Sequence, residues 1–317
     1  MAVYTQVSAE AAAALLARYD VGKLTAMKGI AEGVENSNFL IETDQSRFIL
    51  TLYESRTNPA DLPYFHDLLA HLHAQGCLVP RFIEDREGRW LQDVAGRKGC
   101  LIEFLSGVSV SEPQTGVAHN VGQALGAMHA ALDDFDQSRT NPLGLRDWRP
   151  LSEKCDPAES EKLLPGLTAR IAAECDYLES SWPRNLPTSA IHADLFPDNV
   201  LTLDGKVTGL IDFYFACTDA RAFDLAVTHA AWSFSADGSV YNAKIGDAIV
   251  AGYHKRADLN AAERASLPIL ARGACLRFLL TRLYDWINTP ADAMVSRKDP
   301  LAFLHRLDHY TAHGLVA

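Results

Sequence analysis

The chain has 317 residues, 48% hydrophobic and 22% charged, an ordinary globular composition with room for one large domain or two lobes. A net charge of −11 and a pI near 5.4 exclude attachment to nucleic acid or an anionic membrane through the overall field. There is no apolar run of about 18 residues, the first residues show no basic region followed by an apolar core, and the six cysteines (Cys77, Cys100, Cys155, Cys175, Cys217, Cys275) form no C-x-x-C pair, so a reduced, cytoplasmic protein without a signal peptide is predicted.

The first third reads as strands around two helices. Ser8 caps a helix over 9–18, which ends near Gly22. Residues 24–28 and 39–43 read as strands joined by a turn over 29–38. Ser37 and Asn38 in that turn can offer donors to phosphate oxygens, although a plain hairpin turn explains them as well. A strand over 47–53 follows, then a helix over 61–73 with Leu62, Phe65, Leu69 and Leu72 on one face and no glutamate. Residues 79–82 and 88–91 look like short strands, and 100–105 is an apolar strand running into a glycine turn at Gly107.

The remainder reads as helical. Residues 116–132 carry an apolar stripe of Val117, Val121, Leu125, Met128 and Leu132, with His129 in a supporting place. Residues 141–149 read as a loop and 159–179 as one helix; Pro183 and Pro187 then lead into the stretch that carries the chemistry. Beyond it, 214–223 reads as loop and Asp224 opens a helix. Further helices are expected over 226–234, 241–255, 262–288 and 300–310. Arg272, Arg277 and Arg282 recur at five-residue steps and so share no single helical face.

The stretch I-H-A-D-L-F-P-D-N-V-L-T-L-D-G-K-V-T-G-L-I-D-F (191–213) holds Asp194, Asn199 and Asp212 in the His-x-Asp-x4-Asn…Asp order of a phosphoryl-transfer site. Asp204-Gly205 predicts a two-residue type I′ hairpin. Regular pairing from that turn would set Val200 against Gly209 and Asn199 against Leu210. Asp212 would then return to the face of Asn199 as a diagonal neighbour roughly 7–8 Å away. Two oxygen ligands so placed can share one Mg²⁺. Asp194 precedes them on a loop that Pro197 keeps from being a helix interior. There it can accept or orient the proton of a substrate hydroxyl, while His192 belongs to the same catalytic loop as its brace. A metallohydrolase using His192 and Asp194 would need a histidine cluster of zinc-type spacing, and none is present.

This stretch resembles the catalytic loop of the aminoglycoside phosphotransferase and choline kinase family, with Ala193 where protein kinases carry arginine. The string G-V-E-N-S-N-F (33–39) and the Leu-Thr-Leu at 50–52 are similar to the homoserine kinases of that family. The resemblance implies an α+β, bilobal protein-kinase-like fold, with a β-rich nucleotide-binding lobe over 1–105 and a mainly helical catalytic and substrate lobe over 106–317. It implies ATP and Mg²⁺ as cofactors and L-homoserine as the small-molecule partner. It also makes Asn199 and Asp212 the metal ligands, Asp224 a support of the catalytic loop, and the backbone of Glu103, Phe104 and Leu105 an adenine-binding hinge, where a buried strand is the alternative. Thr51 stands where most of the superfamily carries a phosphate-pairing lysine. Arg47, of the same strand parity, is a candidate source of the missing charge. Acceptors such as choline, methylthioribose or an aminoglycoside are the rival readings. Trp232, Tyr284 and Trp286 are the aromatic candidates for a cage around a quaternary amine, and 282–286 could line an acceptor pocket or simply pack. A pseudokinase that binds nucleotide without turnover is the rival outside enzymes. No signature of an oligomeric state is visible.

Overall fold

The computed structural model describes residues 5–30, 36–54, 57–289 and 297–315. The chain divides into two compact units between Ser106 and Gly107. Strands dominate the first and helices the second, so the architecture is α+β.

The first unit runs α1 (Ala9–Leu16), β1 (Leu24–Ile30), β2 (Ser37–Thr43), β3 (Arg47–Leu52), α2 (Leu62–Ala74), β4 (Phe82–Ile83), β5 (Leu91–Val94) and β6 (Arg97–Glu103). Its strands pair antiparallel in the order β1-β2-β3-β6-β4, with β5 also on β6. Alternation along β2 and β3 turns Phe39, Ile41, Phe48, Leu50 and Leu52 inward, against Leu15, Leu16 and Tyr19 of the α1 segment. Ser8 caps α1, its Oγ accepting from Ala11 N at 3.1 Å. The expected face of α2 is buried. β4 and β5 begin where the expected strands end, because Pro80 lacks an N–H for the ladder and Gly88 (φ +75°) belongs to the intervening turn.

The second unit runs β7 (Val108–Ser109), α3 (Thr115–Ala131), α4 (Leu145–Glu153), α5 (Pro157–Leu163), α6 (Leu167–Ser181), β8 (Thr188–Ile191), β9 (Val200–Leu203), β10 (Lys206–Leu210), β11 (Cys217–Ala220), α7 (Arg221–Trp232), α8 (Ala243–Tyr253), α9 (Ala261–Asn288) and α10 (Leu301–His313). Every residue of α7 from Ala222 to Trp232 is buried, which makes it the unit's central helix. α9 starts with a capping box, Asn260 with Glu263, and buried Glu263 takes Arg221 Nε at 2.7 Å.

Three expectations are corrected here. The 141–149 segment is not all loop, since α4 forms in order to bury Trp148, which is 1% exposed and edge-on to Trp182 at 5.0 Å. The single helix over 159–179 is two, broken by Pro165 and left-handed Gly166 (φ +85°). The 214–223 loop contains β11, which pairs antiparallel with β8 and ties the catalytic loop to the start of α7.

Helices α3 and α8 cross with almost no space between them. A Cβ on Gly122 would collide with the Ile249 carbonyl, one on Gly252 with the His119 carbonyl, and one on Gly126 would sit 2.7 Å from the Tyr253 carbonyl. Gly122→Ala should therefore destabilise the protein by about 1–3 kcal/mol or more, because backbone rather than a side chain must move. A thermal melt checks this; an unchanged Tm would show the crossing to be looser.

His229 on α7 is 3% exposed and bonded to the Tyr310 hydroxyl at 2.6 Å. Burial, then nearby His309, holds its imidazole down to about 3. An unfolded chain takes up that proton near 6.5, so this contribution to stability is whole above about pH 6.5 and is lost as pH falls toward 3. His229→Gln should flatten the fall of Tm between pH 7 and 4; an unchanged slope would remove His229 as its source.

Candidate active site

The catalytic loop leaves β8 at Ile191 and is held from below by one carboxylate. Asp224, wholly buried on α7, accepts from His192 N and Ala193 N at 2.8 Å each, and from His129 Nε2 at 3.1 Å. Burial opposes its charge, but the His129 hydrogen bond and the neighbouring histidines outweigh this and lower its pKa. His192 is also wholly buried. Its Nε2 donates to the Ile211 carbonyl at 3.0 Å, and its Nδ1 accepts from Asp194 N at 3.3 Å. Burial lowers its pKa, in keeping with the neutral tautomer that this bonding requires. The imidazole is a brace between loop and hairpin and has no surface to offer a substrate.

Ala193 is left-handed, φ +63°, a conformation that costs a residue with a Cβ about 1 kcal/mol or more. It is clamped from both ends, since its N–H goes to Asp224 and its carbonyl accepts from Arg277 Nη1 of α9. Arg277 is 1% exposed, lies 4.6 Å from the Phe278 ring, and has its Nε unpaired among the described residues. The sequence marks Arg277 only as one of three arginines at five-residue steps, and no local pattern shows this role. After the kink Asp194 is half-buried, the first residue of the loop not fully buried after Ile191, His192 and Ala193.

Asn199 is 9% exposed, and its Nδ2 donates to the Asp194 carbonyl at 2.7 Å and to Asp194 Oδ2 at 3.1 Å. That fixes the amide and leaves its Oδ1 without a partner among the described residues. The hairpin after it forms at Asp204 (φ +51°) and Gly205 (φ +73°), as a type I′ turn requires. Its register is not regular. Lys206 pairs with Leu203 and Val207 with Thr202, but a bulge at Thr208 then sets Gly209 against Leu201 and Leu210 against Val200. Asn199 consequently faces Ile211, whose N donates to its carbonyl at 3.0 Å, instead of Leu210. Strand parity therefore does not place Asp212. A left-handed turn at Asp212 itself does (φ +65°, ψ +61°), between Ile211 and Phe213, both of which contact His192.

The two aspartates are electrostatically strained. Desolvation, with Asp212 adding to it, pushes Asp194 up to about 8, against the pull of Arg277. Desolvation and then Asp198 raise Asp212 to about 6; its surface is open to solvent, but protein surrounds it. Two acids driven toward protonation beside that amide oxygen form a hard-oxygen set that a divalent cation would relieve. Among the described residues no three His, Cys, Asp or Glu side chains could hold a metal ion by themselves.

The remaining predicted residues lie in the first unit. Ser37 and Asn38 belong to β2, not to a turn; residues 31–35 of that turn lie outside the described residues. The Ser37 hydroxyl is buried and donates to Glu54 Oε1 at 2.8 Å, so it is no free phosphate donor. Asn38 Oδ1 accepts from Thr51 Oγ1 at 2.7 Å across the β2–β3 pair, and Thr51 is 2% exposed. Arg47 stacks over the Phe104 ring at 4.4 Å, four strand residues, about 13 Å, from Thr51. It cannot stand in for a lysine there. Glu103 ends β6 and takes Arg81 Nε at 3.2 Å, while Phe104 and Leu105 follow the strand, half-buried.

Residues 26–259 match the model of the phosphotransferase enzyme family. Curated homoserine kinases of Xanthobacter autotrophicus and Methylorubrum populi are each 49% identical to the chain. The first alignment spans all of both chains, and the second covers 98% of this one and 97% of the relative. Among solved structures, an amicoumacin kinase in complex with AMP-PNP and Ca²⁺ superposes with a TM-score of 0.73 at 13% identity, covering 97% of this chain and 94% of that one. A microcompartment-associated aminopropanol kinase gives 0.72 at 19%, covering 97% and 99%. These structural likenesses carry the fold, which is protein-kinase-like, and the close relatives carry the group. No described helix is long and apolar enough to cross a membrane. The chain belongs to the phosphotransferase enzyme family and, within it, to the homoserine kinase group.

Proposed function

We propose that the protein transfers the γ-phosphoryl group of ATP to the side-chain hydroxyl of L-homoserine, with Mg²⁺ as the metal. One observation carries the residue assignment. Asp194 follows a doubly clamped left-handed residue and is hydrogen-bonded to Asn199, whose other amide atom has no partner among the described residues. Asp194 orients the acceptor hydroxyl and takes its proton; a carboxyl titrating near 8 in the free protein is matched to that task near neutral pH. Asn199 through Oδ1 and Asp212 would hold Mg²⁺, which neutralises charge on the transferring phosphoryl group when bound. His192 and Asp224 position the loop and touch no substrate. The hinge at Glu103–Leu105 is the proposed adenine contact, in a nucleotide-binding first lobe. Most of the rate then comes from positioning and electrostatics.

ADP release measured over a panel of hydroxyl acceptors tests the reading. L-Homoserine should exceed choline, methylthioribose and aminoglycosides by orders of magnitude in kcat/KM. Nucleotide binding without turnover on any of them would favour the pseudokinase that Thr51 suggests. Asp212→Asn should raise the Mg²⁺ concentration for half-maximal rate at least about tenfold. An unchanged Mg²⁺ dependence would exclude Asp212 as a ligand.

A further inference from the structure

Beside the catalytic loop, two arginines share one aromatic ring. Phe303 of α10 is wholly buried and packs on Phe278 at 5.0 Å and on Phe196 at 6.0 Å. Phe196 is two residues from Asp194. The Arg282 guanidinium carbon lies 4.5 Å from the Phe303 ring centre and that of Arg306 lies 4.3 Å from it. Arg282 is also 6.0 Å from the Phe196 ring. Neither arginine has a carboxylate within ion-pair distance among the described residues. Arg306 is 4% exposed; its Nη2 donates to the Ser235 carbonyl at 3.1 Å, and its Nε and Nη1 have no partner among the described residues. Arg282 is half-buried, and among the described residues only its Nη1 makes a hydrogen bond, to the Asp299 carbonyl at 3.2 Å.

Two like charges against one ring, partly stripped of water and with no carboxylate in direct ion-pair contact among the described residues, cost free energy, although Asp194, Asp198 and Asp299 lie close enough to favour the charge of Arg282. An anion seated on the open edge of Arg282 would recover it. The planar fork of a guanidinium matches a carboxylate in a way that an ammonium does not. Of the other cations nearby, Arg277 is 1% exposed and committed to the Ala193 carbonyl, and Lys298 is 61% exposed and already 3.5 Å from Asp198, so both are weaker candidates.

We propose that Arg282 binds the carboxylate of the amino-acid acceptor, with the charge of buried Arg306 behind it. This rests on the acceptor assigned above and names the group that selects it. An amino alcohol without a carboxylate would leave both guanidinium groups uncompensated, and the site would discriminate against it for that reason.

The test compares L-homoserine with 2-amino-1,4-butanediol, which keeps the hydroxyl and ammonium but lacks the carboxylate. Arg282→Gln should raise the KM for homoserine about 100-fold, leave the KM for ATP within about twofold, and leave kcat/KM for the diol within about threefold of wild type. Arg282→Lys, which keeps the charge and loses the fork, should raise the homoserine KM about tenfold, and it serves if the glutamine variant proves unstable. Equal losses on both acceptors would reduce Arg282 to a packing residue, and an unchanged homoserine KM would likewise overturn the inference. Wild-type protein that is inert to homoserine would overturn the functional reading and this inference with it.

Discussion

Asp194→Asn is expected to lower kcat about 10²–10⁴-fold while the KM for ATP stays within a few-fold, because the carboxamide keeps the shape but can neither take nor orient the hydroxyl proton in the same way. Stability should move in the opposite direction to activity. In the folded chain this carboxyl titrates at about 8, far above the roughly 3.9 of an unfolded aspartate. Its neutral form therefore supports the fold below about pH 4, and that support is lost as pH rises through 8. The asparagine never ionises, so the Tm of the variant minus that of wild type should grow between pH 5 and pH 9. A variant with full rate would remove Asp194 from the mechanism. A Tm difference that is flat with pH would place the strain elsewhere.

Asp224→Ala should cost about 3–5 kcal/mol, on the order of 10 °C in Tm, and most of the activity. The carboxylate is wholly buried and accepts three hydrogen bonds, from His192 N, Ala193 N and His129 Nε2. Its removal leaves those donors in a dry interior and releases one end of the left-handed Ala193. Asp224→Asn should recover little, since only one oxygen remains to accept while the new NH₂ group faces donors. Hydrogen exchange at the amides of His192 and Ala193 reports the loop directly. Protection equal to wild type in a folded Asp224→Ala protein would show that Arg277 holds the kink alone.

The sequence by itself determined the chemistry-bearing order of Asp194, Asn199 and Asp212, the turn at Asp204-Gly205, the strand-then-helix division and the family. Each is local or nearly so. The turn follows from two adjacent residues that tolerate positive φ, and the strands and helices follow from apolar period. Even the missing lysine at Thr51 was visible, although only the pairing of β2 with β3 shows its hydroxyl committed to Asn38.

Tertiary structure decided what the motif rests on. The bulge at Thr208 moved Asn199 opposite Ile211 and left the placement of Asp212 to its own left-handed turn, because an extra residue in one strand reverses parity without leaving a compositional mark. The hydrogen bonds that steady the loop join residues far apart in sequence, 84 positions from Arg277 to Ala193 and 95 from His129 to Asp224. Arg272, Arg277 and Arg282 look alike along α9. One pairs with Glu174, one underpins the catalytic loop and one lies against Phe303, because steps of five residues turn each toward a different neighbour.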